Sequence, residues 1–282
     1  MSFWEAVLLG IVQGVFMFFP VSSTSHLVLA QHLLGFEAPE SAEMILFDLV
    51  VHVGTLVSIA VVFRQSLGHL TKQTIRGLRE FVQGSLSPVG RLYLRLTGLG
   101  LFSVFITGVI GLTMRDYFES FFASPILIAI TLTITGILLW WTDILPARKI
   151  GLRQMGLWIA LVIGVGQGLA LMPGLSRSGT TIAFALFAGM KRRWAAEYSF
   201  FVAIPTILAA SAVEMFSVMR EGGPMTVDLV AYVVGFLVAA IVGIGALMVV
   251  LKLLYAARFR YFSYYVWLLA AGILWMNWRG VL

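Results

Sequence analysis

Two short polar motifs interrupt an apolar sequence and contain the residue types that phosphate chemistry uses. The first motif, residues 13–26, reads QGVFMFFPVSSTSH, and the second motif, residues 167–181, reads QGLALMPGLSRSGTT. Each starts with Gln-Gly and reaches the pattern P-x-x-S-x-S. Hydroxyl and guanidinium groups bind phosphate oxygens, and a hydroxyl near an imidazole can serve as nucleophile and base. The two motifs therefore indicate a site for an anion that carries phosphate.

Arg177 in the second motif carries the strongest functional signal. A guanidinium inside an apolar segment is costly and usually marks a functional partner. Helix N-termini and exposed backbone N–H groups favour phosphate, and the guanidinium fork fits its oxygens. The structural alternative is an arginine that donates to loop carbonyls. The predicted phosphate-binding residues around Arg177 are Ser22, Thr24, Ser25, Gly174, Ser176, Ser178, Gly179, Thr180 and Thr181.

Ser23 and His26 in the first motif are the predicted partners of Arg177 in catalysis. A hydroxyl and an imidazole three residues apart could form a nucleophile and its base, or could only hydrogen-bond a phosphate. Hydroxyls in such a turn also cap helices without any chemistry. Further residues predicted to line the site are Gln13, Met17, Asp48, His52, Gln167 and Glu197.

A structural role is an open alternative for three of these lining residues. His52 fits an inward-facing helix residue that a neighbour satisfies, and Asp48 fits a hydrogen-bonded carboxyl as well as a site residue. Glu197 follows the basic run 191–193 and fits an ion pair with it. No metal-ligand spacing stands out, so the ligands of any metal are unknown.

The composition predicts an integral membrane protein. The chain is 60% hydrophobic and only 11% charged, whereas soluble domains average about 25% charged residues. The high hydropathy and the absence of a nucleotide-binding motif exclude a soluble enzyme, a nucleic-acid binder and a nucleotide-dependent oxidoreductase.

The apolar stretches predict an all-α membrane fold with two kinds of helical element. A helix that spans the bilayer needs about 20 mostly apolar residues. The stretches around the two motifs are shorter and are broken by Pro, Ser and Gly, so 3–36 and 155–190 are predicted to be re-entrant helix-loop-helix hairpins. The six predicted transmembrane helices are 44–63, 96–114, 121–142, 199–219, 226–251 and 261–278.

An internal repeat relates the two halves of a single membrane domain, residues 1–282. Gln13 and Gln167 are 154 positions apart, and so are Gly35 and Gly189. Repeat one covers about 1–142 and repeat two about 155–282. Each repeat has one hairpin and three spans, an odd number of crossings, so the second repeat is inverted. The two motifs are then expected to meet near the midplane.

The distribution of Lys and Arg predicts the orientation. With both termini outside, the inner loops hold 15 basic residues and the outer side holds three, which the positive-inside rule favours. The outer three are Arg115, Arg220 and Arg279. The inner residues are Arg64, Lys72, Arg76, Arg79, Arg91, Arg95, Arg148, Lys149, Arg153, Lys191, Arg192, Arg193, Lys252, Arg258 and Arg260.

At these motifs the chain resembles the undecaprenyl pyrophosphate phosphatase family of the bacitracin-resistance type. The first family pattern is Glu or Gln, then G-x-x-E-x-x-P-V-S-S, then Ser or Thr, then G-H. The second family pattern, P-G-x-S-R-S-G-x-T, matches residues 173–181 without departure. Further matches are Phe47-Asp48 with His52-Val53-Gly54, and 196–200 leading to Pro205.

The resemblance implies a multi-pass protein of the bacterial inner (plasma) membrane that hydrolyses undecaprenyl diphosphate to undecaprenyl phosphate on the outer side. This reaction recycles the lipid carrier of peptidoglycan synthesis. Ser23 is implied to attack, His26 to assist and Arg177 to clamp the pyrophosphate, while motif glutamates act with Mg²⁺ or Ca²⁺. The expected partners are the polyprenyl (pyro)phosphate lipid and the bilayer, not nucleic acid, and a homodimer is compatible with this reading.

The first motif departs from the family pattern at two positions. Met17 stands where the family has Glu, and Ser25 stands where it has Gly, so this motif contains no carboxylate. A thioether neither accepts a proton at neutral pH nor binds a hard cation, which prefers oxygen ligands. The implied Mg²⁺ or Ca²⁺ therefore has no carboxylate ligand in this motif, and substitution by Asp48 or Glu197 is the open alternative. The alternative function is a non-hydrolytic polyprenyl-phosphate binder or transporter (flippase) on the same scaffold.

Overall fold

The computed structural model describes residues 1–35, 41–122, 124–221 and 228–279, and these residues form helices and connecting turns without a β-strand. The all-α prediction is therefore confirmed for the described chain. A short 3₁₀ helix lies at Leu152–Gln154. The α-helices are α1 (Phe3–Phe16), α2 (Ser23–Leu33), α3 (Ala42–Val62), α4 (Arg64–Val82), α5 (Pro88–Thr113), α6 (Arg115–Phe122), α7 (Pro125–Ile144), α8 (Leu157–Leu169), α9 (Arg177–Phe187), α10 (Arg192–Glu221), α11 (Leu229–Tyr255) and α12 (Arg260–Trp278).

Five of the described helices are long and apolar enough to cross a membrane: α3, α5, α7, α10 and α11. They coincide with five of the six predicted spans, and together they indicate a multi-pass membrane protein. The sixth, α12, has 19 residues but is not among the five, because its tyrosines, tryptophans and Asn277 lower its hydropathy. α4 carries exposed Ile75, Leu78 and Phe81 beside its basic residues, as expected of an amphipathic helix at the membrane interface.

Two pairs of short helices occur where the hairpins are predicted. α1 and α2 have 14 and 11 residues, and α8 and α9 have 13 and 11. Each helix is shorter than the roughly 20 residues that a crossing requires. The chain is not helical between the members of each pair, and Pro20 and Pro173 lie in these turns, where they interrupt no helix.

The helices pack so that each half of the chain contacts the other half. α11 packs on α1 and α3, and α5 packs in the same way on α8 and α10, while α7 contacts α12 and α3 contacts α10. These contacts are preserved when α1 is exchanged with α8, α3 with α10, α5 with α11 and α7 with α12.

Glycines at equivalent positions allow these close helix contacts. A Cβ atom at Gly10 would lie 2.9 Å from the Gly235 carbonyl oxygen, and one at Gly164 would lie 2.8 Å from the Ser103 carbonyl oxygen. Gly10 and Gly164 are 154 positions apart, the same interval that separates Gln13 from Gln167. Small residues let helix backbones approach closely in a membrane, where interhelical hydrophobic burial contributes little.

One end of the helix bundle collects the basic segments, and we call it the basic end. The Asp143 carboxylate, at the end of α7, accepts hydrogen bonds from the backbone N–H groups of Phe259 (3.0 Å) and Arg260 (2.8 Å). Arg192 donates to the Thr142 carbonyl oxygen at 2.7 Å. At the opposite end, the Tyr232 hydroxyl donates to the Glu43 carbonyl oxygen at 2.7 Å. The fold thus places the first residues of α10 and α12 together with the end of α7.

Candidate functional site

The two motifs enclose a cavity of about 140 Å³. Its polar lining consists of Ser22, Ser23, His52, Ser176 and Arg177. His52 is the eleventh of the 21 residues of α3, so the cavity lies level with the middle of a candidate span. The structure therefore brings together the motif hydroxyls and the guanidinium that the sequence analysis assigned to one site.

Two helix N-termini meet at this cavity. α2 begins at Ser23 and α9 begins at Arg177, and both residues line the cavity. The Ser176 hydroxyl caps α9 by accepting a hydrogen bond from the Gly179 backbone N–H at 3.2 Å. Because the N-terminal end of a helix carries partial positive charge and free N–H groups, the pair favours an anion between them.

Arg177 has no carboxylate partner in the described part of the chain. Its Nη2 atom lies 2.9 Å from the Met17 Sδ atom, and a thioether sulfur is only a weak acceptor. Gln13 donates to the same sulfur over 3.6 Å. The described residues therefore do not neutralise the charge of Arg177, and this guanidinium can bind an anion in the cavity. The hydrogen bonds to loop carbonyls that the structural alternative requires are not found among these residues.

The turn of the second motif is fixed by two threonines of α7 that the sequence analysis did not identify. Thr131 donates its hydroxyl to the Pro173 carbonyl oxygen at 2.5 Å. Thr135 donates to the Gly174 carbonyl oxygen at 2.9 Å and accepts from the Ser176 backbone N–H at 3.2 Å. Gly174 has a φ of +85°, a left-handed conformation that glycine adopts readily. Buried hydroxyls four residues apart in an apolar stretch were the only sequence signal for this role.

The turn of the first motif and α12 together engage both ring nitrogens of His26. Ser22 has a φ of +70°, unusual for a residue with a side chain, and its carbonyl oxygen accepts the His26 Nδ1–H at 2.7 Å. The His26 Nε2 atom lies 2.7 Å from the Tyr265 hydroxyl, which donates when the imidazole is neutral. The described contacts include no hydrogen bond between Ser23 and His26. No local sequence pattern relates Tyr265 to His26, because the two residues are 239 positions apart.

His52 is the imidazole that lines the cavity. Its Nδ1–H donates to the Asp48 carbonyl oxygen at 2.7 Å, so in the neutral ring Nε2 is left as an acceptor. The Asp48 carboxylate accepts from Gln31 at 2.9 Å and does not line this cavity. Glu197 accepts from Arg193 at 3.0 Å and borders a separate, largely apolar cavity of about 490 Å³. The structure thus brings His52 into the site but not Asp48 or Glu197.

The remaining predicted residues mostly connect the motifs to each other or to neighbouring helices. Ser178 donates to the Phe18 carbonyl oxygen at 3.2 Å, and a Cβ atom at Gly179 would lie 2.9 Å from Pro20 Cβ, so the motifs are in direct contact. Gln167 donates to the Thr206 hydroxyl at 2.8 Å and borders a narrow space beside Arg177.

Three hydroxyl residues of the predicted phosphate-binding set have other surroundings. Ser25 Oγ lies 3.2 Å from Ser22 Oγ. Thr181 donates to the Arg177 carbonyl oxygen at 2.7 Å within α9. The Thr180 hydroxyl is buried without a hydrogen-bond partner in the structure. The side chain of Thr24, also in the predicted set, lies outside the described part of the chain.

Comparison with known proteins identifies the family. A family model described as bacitracin resistance protein BacA matches residues 6–272. The chain belongs to the BacA family. Three relatives named undecaprenyl-diphosphatase are 58% identical in Alkalilimnicola ehrlichii, 57% in Halorhodospira halophila and 36% in Carboxydothermus hydrogenoformans. Each alignment covers 97% of this chain and 96–97% of the relative. The resemblance stated from the motifs is confirmed.

The divalent cation implied by the resemblance to the BacA family does not fit the donors of this cavity. Mg²⁺ and Ca²⁺ are bound mainly through carboxylate and carbonyl oxygens and water, whereas the side chains with heteroatoms that line this cavity are a thioether, hydroxyls, an imidazole and a guanidinium. No group of three or more His, Cys, Asp or Glu that could hold a metal occurs among the described residues. We therefore describe the chemistry of this site through its own side chains.

Proposed function

We propose that this chain is a membrane phosphatase that hydrolyses undecaprenyl diphosphate to undecaprenyl phosphate and so recycles the carrier lipid of peptidoglycan synthesis. The relatives named undecaprenyl-diphosphatase align with it over nearly its whole length. The single observation that carries the proposal is Arg177, which has no carboxylate partner among the described residues and lines a cavity with three motif serines and two helix N-termini. Such a site is suited to a pyrophosphate.

Binding of the pyrophosphate would use the positive groups of the second motif. The Arg177 guanidinium can donate two parallel hydrogen bonds to phosphate oxygens, and the α9 N-terminus adds backbone N–H groups. The same groups would stabilise the negative charge on the phosphoryl group as it is transferred, which is the main contribution a protein makes to this reaction. Phe16, Leu171 and Leu175 on the cavity wall provide apolar surface beside the isoprenoid end.

Hydrolysis would proceed at the terminal phosphorus. Ser23 Oγ, which has no hydrogen-bond partner among the described residues, either attacks this phosphorus or orients the water that does. The bond to the bridging oxygen breaks, and the bridging oxygen leaves with its electron pair as part of undecaprenyl phosphate. If Ser23 attacks, water then hydrolyses the phosphoserine and inorganic phosphate is released.

The two histidines would have different roles. His52 lines the cavity, and its Nε2 atom is an acceptor in the neutral ring because Nδ1–H is engaged with the Asp48 carbonyl, so His52 is suited to take the proton of the attacking hydroxyl or water. Both ring nitrogens of His26 are engaged, with the Ser22 carbonyl and the Tyr265 hydroxyl. We therefore assign His26 the role of a positioning residue that holds the turn before Ser23, in place of the base role implied by the resemblance.

The membrane topology is part of the proposal. α12 would be the sixth span, and the pairs α1–α2 and α8–α9 would be re-entrant hairpins of two inverted repeats, about 1–142 and 155–282. The repeats are supported by helix contacts that recur when each helix is replaced by its equivalent in the other half. Gathering of basic segments at one end supports an inner-membrane protein with both termini outside and the basic end in the cytoplasm. The cleaved phosphate would then leave on the outer side.

The proposal is tested by measuring inorganic phosphate released from undecaprenyl diphosphate by the purified protein in detergent, beside Ser23→Ala and Arg177→Ala. We expect turnover in the unmodified protein and loss in both variants. Wild-type turnover in both variants would exclude this cavity as the catalytic site.

A parallel binding measurement distinguishes the enzyme from a non-hydrolytic binder or transporter. Retention of the radiolabelled lipid diphosphate is measured in the unmodified protein and in Arg177→Ala. Retention that depends on Arg177, without any phosphate release, would replace the phosphatase by the binder.

A further inference from the structure

Three arginines converge on another cavity, lined by no residue of the two motifs, at the basic end of the bundle. This cavity of about 430 Å³ is lined by Arg91 and Arg95 of α5 and Arg153 of the 3₁₀ helix, together with Pro88, Val89 and Leu92. Arg91 and Arg95 are four residues apart and lie on one face of α5. Arg153 comes from a segment 58 positions beyond Arg95, to which it is tied because Arg95 donates to the Arg153 carbonyl oxygen at 2.6 Å.

None of these three guanidinium groups has a carboxylate partner in the described part of the chain. The nearby Glu80 is engaged elsewhere, since it accepts from Arg76 at 2.7 Å and from the Ser87 backbone N–H at 3.1 Å. Hydrogen bonds from Ser87 and Arg76 hold the pKa of the Glu80 carboxyl below its usual range. Like charges four residues apart on a helix destabilise it, so an anion bound between the arginines would relieve their repulsion.

The positive-inside rule explains why basic residues occur near the inner ends of spans. It does not require that three arginines converge, or that a cavity lies between them. Most basic residues of this end, such as Arg64, Arg79 and Arg258, are not in such a cluster. The apolar residues beside the three arginines are also informative. Val89 is 50% exposed, and it continues the apolar surface of the α5 span to the rim of the cavity. Charge and apolar surface together match an amphiphile that lies in the bilayer.

We propose that Arg91, Arg95 and Arg153 form a binding site for the phosphate headgroup of an anionic phospholipid. The guanidinium groups would bind the phosphodiester oxygens, and the acyl chains would lie against Pro88, Val89 and Leu92. This site is separate from the catalytic cavity and takes a structural lipid instead of the substrate.

The test is native mass spectrometry of the full-length protein with dioleoyl phosphatidylglycerol or dioleoyl phosphatidylcholine. The variant Arg91→Gln/Arg95→Gln/Arg153→Gln is compared with Arg64→Gln/Arg79→Gln/Arg258→Gln, which removes the same charge from exposed residues outside the cavity. Size-exclusion elution confirms that each variant is folded. We expect saturable phosphatidylglycerol binding that weakens at least about tenfold in the cavity variant and less than about twofold in the control.

Because Arg95 also connects two segments, Arg91→Gln alone is the second variant. No hydrogen bond or ion pair of the Arg91 side chain with the described residues is found. Weakened phosphatidylglycerol binding in this variant would therefore reflect a lost contact with the lipid headgroup and not a disturbed connection between the two segments. Equal weakening in the cavity and control triple variants would overturn the proposal in favour of general surface charge. Displacement of phosphatidylglycerol by millimolar inorganic phosphate would also overturn it, because the site would then bind free phosphate and not specifically a lipid.

Discussion

The first and second motifs occupy equivalent places in the two halves of the chain, but they are built differently. The second motif matches the BacA family pattern over residues 173–181 and is held by Thr131 and Thr135 of α7 through its backbone. The first motif departs from the pattern at Met17 and Ser25, has Ser22 in a left-handed conformation, and is linked to α12 through the ring of His26.

This difference indicates a division of labour in the cavity. The second motif supplies a fixed cationic frame, since its backbone is hydrogen-bonded at both sides of Gly174. The first motif supplies hydroxyls from a turn that contacts α12 through the hydrogen bond between His26 and Tyr265 and through the ring contact of Phe19 with Phe262. Because Met17 rather than a carboxylate lies next to Arg177, no described residue neutralises the charge of the second motif. We therefore expect binding to depend chiefly on the second motif and the hydroxyl chemistry to depend on the first.

Removing the charge of the second motif should have the largest effect. Arg177→Gln is expected to lower phosphate release by about 10³-fold or more, because the transferring phosphoryl group loses its main positive partner. The matched control is Arg193→Gln, whose guanidinium is exposed and paired with Glu197, and it should change release by no more than about twofold. Equal losses in both variants would show that Arg177 has no special role.

Removing the Ser23 hydroxyl of the first motif should have the second-largest effect on phosphate release. Ser23→Ala is expected to lower kcat by about 10³-fold if Ser23 attacks the phosphorus. Ser25→Ala removes a hydroxyl of the same turn whose Oγ contacts Ser22 Oγ, and a loss of less than about tenfold is expected there. If Ser25→Ala lowers kcat more than Ser23→Ala, the assignment of the reacting hydroxyl is wrong.

The histidines allow a sharper comparison. His52→Gln should lower kcat by about 10²-fold, because an amide cannot take a proton in place of the imidazole. Tyr265→Phe removes only the hydroxyl that contacts His26 Nε2 and should cost less than about tenfold, as expected for a positioning contact. The pH dependence of kcat should change in His52→Gln and stay the same in Tyr265→Phe. The reverse pattern would return the proton-transfer role to His26.

Loss of a threonine that holds the second motif should lower the stability of the protein more than its rate of catalysis. Thr135→Val keeps the side-chain volume but leaves the Gly174 carbonyl and the Ser176 N–H without their partner, so the free energy of unfolding should fall by about 1–3 kcal/mol. Thr133→Val is the control, because its hydroxyl bonds only within α7, to the Ala129 carbonyl, and should cost less than about 0.5 kcal/mol. Thermal unfolding in detergent distinguishes the two variants.

Much of the architecture could be predicted from the sequence because hydropathy and helix-breaking residues are local signals. Five spans, the two broken helix pairs and the convergence of Ser22, Ser23 and Arg177 follow from apolar length, from Pro20 and Pro173, and from the 154-residue interval. The sixth predicted span, 261–278, corresponds to α12, which is not among the five helices of the described chain that are long and apolar enough to cross a membrane.

The contacts that could not be predicted all join residues far apart in the chain. Tyr265 is 239 positions from His26, and Thr135 is 39 positions from Gly174, so no local pattern relates them. His52 and Asp48 lie one helical turn apart on α3, yet only His52 lines the cavity, because the Asp48 carboxylate is hydrogen-bonded to Gln31 instead. The sequence offers an ion pair with the basic run 191–193 as an alternative role for Glu197. The position of Glu197 beside a separate cavity depends on how α10 packs against its neighbours, and no local pattern predicts that packing.

The most direct test of the account is phosphate release from undecaprenyl diphosphate by the unmodified protein in excess chelator, in Mg²⁺ and in Ca²⁺, beside Met17→Glu. The account predicts that the unmodified protein releases phosphate in chelator, because Arg177 and the motif hydroxyls need no metal-binding carboxylate. It predicts that Met17→Glu makes release depend on the cation, since the new carboxylate pairs with Arg177 unless a metal binds it. A folded unmodified protein that releases no phosphate under any of these conditions, beside an active Met17→Glu variant, would contradict the account.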